Sequence, residues 1–319
     1  RQRQMCIRDR YNRIFDSTKR GNILILDGGT GTELEKRGVP MDPGAWCGLA
    51  ALEHADTLKR IHLDYIFSGA DVITTNTYSS SRHMLELSGL GEKFVEINKK
   101  AVEAAHSAKE VSGKPNVLIA GSLSHRGMIS EGTATPDQNV VIPLKKFEES
   151  LTELAVFLKE EGCDLIILEM MYDPKKIEST RMAAEKAGLP VWAGFSARQD
   201  NSGRLLSFLP DEELPLMDIF SILSHYKPDA AGIMHTPSNT ISDSLKELKK
   251  VFSGTTFAYP DSGYFKSPNW QFEKIISEKA LQEFACDWIR EGAKIIGGCC
   301  GLSPSHIQAL ARVKQNLAE

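Results

Sequence analysis

The run Gly297-Gly298-Cys299-Cys300-Gly301 sets two adjacent cysteines between glycines. In a regular strand, neighbouring side chains point to opposite faces, so two such thiols could not share one target. Glycine relaxes that limit because it adopts backbone angles that other residues avoid. Both sulfurs can then converge on one soft metal, for which zinc is the natural candidate. The apolar Lys294-Ile295-Ile296 before them reads as the end of a buried strand.

Other chemistry-bearing residues also follow short apolar runs. They are Asp27-Gly28-Gly29-Thr30-Gly31-Thr32, Thr75-Asn76-Thr77-Tyr78, Leu168-Glu169, Met234-His235-Thr236 and Tyr259-Pro260-Asp261-Ser262-Gly263. His235 with Cys299 and Cys300 makes a three-ligand set, and catalytic zinc usually keeps three protein ligands and one open position. The carboxylates Asp27 and Glu169 suit an amino group on a substrate, and a carboxylate directly after a buried run needs a partner. Asn76 and Tyr78 add hydrogen-bonding groups at a strand end. Trp46 can pack over a cationic substrate group or serve packing alone. The glycine-rich turn after Asp27 lacks the lysine of a phosphate-binding loop, which argues against nucleotide binding. Cys47, Cys163 and Cys286 read as ordinary buried cysteines.

The elements that must position these residues recur regularly. Eight β-rich apolar runs are expected as strands: Ile23–Asp27, Asp71–Thr77, Val117–Ser122, Asp164–Glu169, Val191–Ser196, Ala230–His235, Thr256–Pro260 and Lys294–Gly298. Most are continuously hydrophobic, as parallel strands covered on both faces are. Helical patterns lie between and after them, at Leu52–Ser68, Glu92–Ser112, Leu144–Glu161, Lys175–Ala187, Glu212–Tyr226, Ile241–Phe252, Glu278–Glu291 and Pro304–Leu317. This alternation predicts a single (β/α)₈ barrel in preference to an open doubly wound sheet, with its chemistry at the C-terminal ends of the strands. Ser124–Pro143 is expected as a long loop after the third strand.

Composition bounds the function. The chain has 319 residues, 41% hydrophobic and 25% charged, with a net charge of −4. That balance argues against nucleic acid or an anionic membrane as partner, and no apolar run approaches the ~18 residues that span a bilayer. Six cysteines are too few for a disulfide scaffold of this length, and no signal peptide is recognisable, so a reducing cytoplasm is expected. Residues 1–10 share no pattern with the rest of the chain and resemble translated adapter sequence. They are expected to be a non-native or disordered extension, with residues 11–319 forming one domain. A homo-oligomer stays open.

Taken together, these residues resemble the homocysteine S-methyltransferase family, which includes betaine–homocysteine methyltransferase and the homocysteine-binding module of cobalamin-dependent methionine synthase. The resemblance runs from about Gly21 onward. It is carried by Asp27–Thr32, Gly69–Tyr78, Tyr259–Gly263 and, most specifically, Gly297–Gly301 followed by Pro304 and His306-Ile307. It implies a zinc-containing barrel that binds homocysteine as a thiolate and methylates it to methionine, from an onium compound or a methylated pterin. It further implies that Cys299 and Cys300 are zinc ligands. Asp27 and Glu169 would hold the amino-acid end of homocysteine, with Gly28 and Gly29 allowing close backbone approach.

Three departures from the family pattern stand out. The usual Gly-x-Asn-Cys on the sixth strand reads Gly232-Ile233-Met234-His235 here, so histidine takes the place of a cysteine ligand. A Cys₂His site is chemically sound, but it carries one less negative charge, so a bound thiolate should be held more tightly and be a weaker nucleophile. A loop that often reads Gly-Pro-Tyr-Gly is Ser124-His125-Arg126-Gly127, and Asp261 stands where asparagine is usual. The loop change bears on the methyl donor more than on the fold. Alternative readings are a non-catalytic barrel that keeps homocysteine and metal binding, and a thiol-activating subunit of a corrinoid-dependent system.

Overall fold

The computed structural model describes residues 2–209 and 213–317, the first few as backbone only. Eight parallel strands form one sheet: β1 (Leu24–Ile25), β2 (Val72–Thr74), β3 (Leu118–Ser124), β4 (Leu165–Met171), β5 (Val191–Phe195), β6 (Ala230–Pro237), β7 (Thr255–Asp261) and β8 (Ala293–Ile296). Their order is β1-β8-β7-β6-β5-β4-β3-β2, and a parallel bridge between Leu26 and Val72 brings the two edges together. The sheet is therefore nearly closed, as the (β/α)₈ reading expects, and each of the eight expected runs contributes a strand.

The continuous hydrophobicity of these runs has a direct cause. Leu24, Leu26, Val72, Leu118, Ala120, Leu165, Ile167, Phe257 and Ile295 fill the barrel interior. The alternating Ile25, Ile73, Ile119, Ile166 and Ile296 pack outward against the helices. Successive side chains on a strand face opposite ways, so a strand buried on both faces has no polar position to spare. Trp192 is fully buried inside, and its indole N–H donates to Tyr11 Oη at 3.0 Å. Phe15 packs beside it, with ring centroids 5.9 Å apart.

Tyr11 and Phe15 belong to a helix spanning Gln2–Phe15, which places them against the N-terminal end of the barrel. Arg10 pairs there with the buried Asp164. Residues 2–10 thus contribute most of that helix.

The helical expectations hold for Leu144–Glu160, Pro174–Ala187, Glu278–Arg290 and Pro304–Asn316. The pattern over Glu212–Tyr226 forms only a short helix at Leu216–Ile219 and a 3₁₀ turn at Phe220–Ser224, and its first residue lies outside the described part. Two hairpins escape the sequence reading. Ala197–Gln199 pairs with Leu205–Ser207 after β5, and Tyr264–Lys266 pairs with Asn269–Gln271 after β7. Cys286, expected to be buried, is exposed on its helix, whereas Cys47 and Cys163 are buried. No described helix is long and apolar enough to cross a membrane.

Candidate metal and substrate site

An open cleft of about 1010 Å³ lies at the C-terminal end of the barrel, lined by nine of the ten candidate site residues: Gly28, Gly29, Trp46, Asn76, Tyr78, Glu169, His235, Cys299 and Cys300, the exception being Asp27. Asp27 is fully buried. It accepts hydrogen bonds from Thr74 N (2.6 Å), Thr74 Oγ1 (3.0 Å) and Tyr259 Oη (3.2 Å).

The cysteine pair sits in the turn after β8, outside the regular strand. Cys299 N–H donates to Pro260 O (2.6 Å), and Cys300 O accepts from Ser262 N–H (2.9 Å), so the turn is tied to the end of β7. Gly301 closes it with φ 79°, and a Cβ there would stand 1.9 Å from Ser262 O. Gly29 packs in the same way, since a Cβ would meet Cys299 O at 2.7 Å. Besides lining the cleft, this glycine therefore lets the first loop lie against the cysteine turn.

The result is convergence of the two thiols. Cys299 Sγ lies 3.9 Å from Cys300 Sγ and 3.6 Å from His235 Nδ1. The ligand atoms of His235, Cys299 and Cys300 all lie within 4.8 Å of one another. Bond lengths of about 2.3 Å to sulfur and 2.0–2.1 Å to nitrogen imply tetrahedron edges of roughly 3.5–3.8 Å around zinc, so two of the spacings already match that ion. The donor set of two thiols and an imidazole suits it as well. His235 Nε2, the other ring nitrogen, faces Asp261 Oδ2 at 3.5 Å. A carboxylate behind a metal-ligating histidine is the usual way of fixing tautomer and ring orientation.

Electrostatics follow from burial. Asp27 is pushed up to about 8, chiefly by burial, with the nearby Glu169 adding to it and the hydrogen bonds from Thr74 and Tyr259 opposing it. Burial likewise pushes Glu169 up to about 7. For His235 burial acts to lower the value, but Asp261, Cys299 and Glu169 outweigh it and raise the imidazole to about 9. Cys300 alongside and burial push the Cys299 thiol well up, a preference that a dication inverts.

Strain gathers at the same place. Trp46 (φ 49°), Met170 (φ 55°) and His235 (φ 45°) have left-handed backbone without being glycine, and all three line the cleft. Such outliers concentrate at functional sites, where surrounding structure enforces them. Asn76 is held by Cys47: its side-chain N–H donates to Cys47 O (2.8 Å), and Cys47 Sγ donates to Asn76 Oδ1 (3.2 Å). Tyr78 Oη donates to Met170 Sδ at 2.9 Å. The sequence reading missed Tyr259 as a partner of Asp27, and Phe265 and Trp270, which the second hairpin brings to the cleft. Tyr259 was within reach, since it opens the Tyr259–Gly263 motif.

Comparison with known proteins accords with this geometry. The family model described as homocysteine S-methyltransferase matches residues 24–313, and the chain belongs to that family. It is 27% identical over 317 residues to homocysteine S-methyltransferase 1 of Arabidopsis thaliana, with 92% of this chain and 94% of that protein covered. It is 28% identical over 309 residues to homocysteine S-methyltransferase YbgG of Bacillus subtilis (strain 168), covering 92% and 95%. Among solved structures, the metallated form of the homocysteine methyltransferase MmuM from Escherichia coli superposes with a TM-score of 0.70 at 25% identity, covering 91% of this chain and 96% of that one.

Proposed function

We propose that the protein is a zinc-dependent, cytoplasmic S-methyltransferase that moves a methyl group from an onium or pterin donor to the thiolate of homocysteine, giving methionine. The observation that carries this reading is the convergence of His235, Cys299 and Cys300 in a cleft that Glu169 also lines, with the buried Asp27 next to the lining Gly28. His235, Cys299 and Cys300 would hold the metal. When bound, zinc stabilises the thiolate form of a ligating thiol, which is the nucleophilic form.

Asp27 and Glu169 hold the ammonium of homocysteine, and its positive charge favours their ionised forms. Gly28 and Gly29 keep the backbone close to the amino acid. The sulfur forms a bond to the methyl carbon while the donor departs with the electron pair of the bond it loses. Asp261 bears on the charge deficit expected when histidine replaces cysteine. Its carboxylate beside Nε2 makes the imidazole a better donor and returns negative charge to the surroundings. This pairing supports a working metal site over a degenerate, binding-only barrel. The free Cys47, Cys163, Cys286, Cys299 and Cys300 fit a reducing compartment.

The test is methionine formation from homocysteine by protein stripped of metal with a chelator and then reloaded. Loss on stripping and return with zinc are expected. Equal turnover by zinc-free protein would overturn the mechanism. Homocysteine uptake with no methionine from sulfonium, quaternary ammonium or pterin donors would favour the binding-only barrel.

A further inference from the structure

Above the metal cluster the cleft carries a box of aromatic rings. Trp46 meets Tyr78 edge-on at 6.1 Å and Phe265 edge-on at 5.8 Å. Boxes of this kind attract cations through the negative faces of the rings. A bare onium methyl donor would belong there, but the box already holds a cation from the protein itself. The Arg126 guanidinium carbon lies 5.7 Å from the Trp46 ring, 5.8 Å from Tyr78 and 5.5 Å from Phe265. Arg126 is only 8% exposed, lines the cleft, and has a buried Nε without a hydrogen-bond partner. No carboxylate among the described residues forms an ion pair with it.

A nearly buried, permanently charged group with no counter-ion is costly unless something arrives to pair with it. The backbone around Arg126 is pinned, since its N–H donates to Ser124 Oγ (3.3 Å) and its carbonyl lies 3.3 Å from His83 Nε2. A guanidinium can pack against rings while its edge offers paired N–H donors, a geometry that matches a carboxylate. A second small cation in the same box would face like-charge repulsion in a poorly hydrated space.

We propose that Arg126 is a specificity-determining residue that binds a carboxylate of the methyl donor, so that the enzyme selects carboxylate-bearing donors and rejects bare onium ions. This deepens the methyltransferase reading and rests on it. The carboxylate can belong to a small sulfonium or ammonium zwitterion or to the tail of a pterin, because the recognition chemistry is the same.

The test uses two sulfonium compounds that differ in the carboxylate, dimethylsulfonioacetate and trimethylsulfonium. Each is titrated calorimetrically into the whole protein with the thiol-free acceptor analogue 2-aminobutyrate present, and kcat/KM for methionine formation is measured alongside. A charge-assisted hydrogen bond of this kind corresponds to about ten- to a hundredfold in affinity. The wild type should favour dimethylsulfonioacetate by that factor. Arg126→Ala should abolish the preference, Arg126→Lys should keep part of it, and the KM for homocysteine should stay put. Equal binding of the two sulfonium ions by the wild type would overturn the proposal, and that arm needs no substitution to fold. So would an Arg126→Ala effect confined to homocysteine, which would make Arg126 a reader of the acceptor. Homocysteine is titrated in parallel. Homocysteine binding without carboxylate selectivity sinks this proposal alone, whereas selectivity without homocysteine binding sinks the methyltransferase reading alone.

Discussion

At the scale of single residues, the site is a set of groups whose surroundings push their charges the wrong way until ligands arrive. Asp27 shows this best. Its folded-state value near 8 lies above that of an exposed carboxylate. The folded protein therefore holds a proton that the unfolded chain has lost, and the stability linked to it is complete below about pH 4 and falls as pH rises towards 8. Urea titrations at pH 5 and pH 8 should show lower stability at pH 8, and Asp27→Asn should flatten the difference. In its proposed role Asp27 must be ionised to bind the homocysteine ammonium, so affinity should improve between pH 6 and pH 8, and that improvement should shrink in the variant to the part that Glu169 supplies. Unchanged pH dependence in Asp27→Asn would place the titration elsewhere. At the proposed metal cluster, Cys299→Ala and Cys300→Ala should each lose zinc and turnover together. Asp261→Ala should retain the metal but weaken it about 10–100-fold in a chelator competition, as loss of a carboxylate behind a metal-bound histidine does. Undiminished zinc affinity would leave Asp261 without the role assigned to it.

At the scale of elements, the sequence reading succeeded where strand ends carry their own signal, as at His235, Cys299 and Cys300, and missed contacts that the loops between strands bring together. The Cys299-Cys300 turn was legible because its glycines have no other plausible use, and Gly301 bears this out with its left-handed φ and the oxygen pressed against it. Gly301→Ala should therefore disrupt the turn, lowering both zinc content and stability. A variant with full zinc and an unchanged melting temperature would mean that the turn tolerates what its geometry forbids. The aromatic box was not legible. Trp46, Tyr78 and Phe265 come from three loops far apart in sequence, and Phe265 arrives on a hairpin of three-residue strands that leaves no periodic pattern. Arg126 was visible only as a departure from a family motif, because nothing in its neighbours shows that a guanidinium will be buried. The Asp261–His235 pair escaped for the same reason: each substitution looked like an isolated loss until the sheet set β6 beside β7.

At the scale of the whole molecule, the barrel was readable because eight doubly buried strands leave eight apolar runs, and the spacing of these runs fixed where the loops must carry chemistry. The N-terminal end was harder. The helix Gln2–Phe15 lacks an apolar stripe over its first ten residues, and what anchors it are Tyr11 and Phe15 against Trp192. Phe15→Ala should lower stability by about 3–5 kcal/mol, the usual cost of truncating a buried aromatic side chain, while leaving the KM for homocysteine unchanged, since the residue lies at the end of the barrel opposite the cleft. A changed KM with unchanged stability would contradict that placement.

On the reading proposed above, the barrel holds zinc through Cys299, Cys300 and His235 and presents the open position to a thiol. Zinc K-edge X-ray absorption on the purified protein, with and without homocysteine, counts the ligands. Two sulfurs and one imidazole from the protein are expected in the absence of homocysteine, and a third sulfur at about 2.3 Å once homocysteine is added. A protein that takes up no zinc under reducing conditions, or a zinc whose sulfur count stays at two with homocysteine saturating, would contradict it.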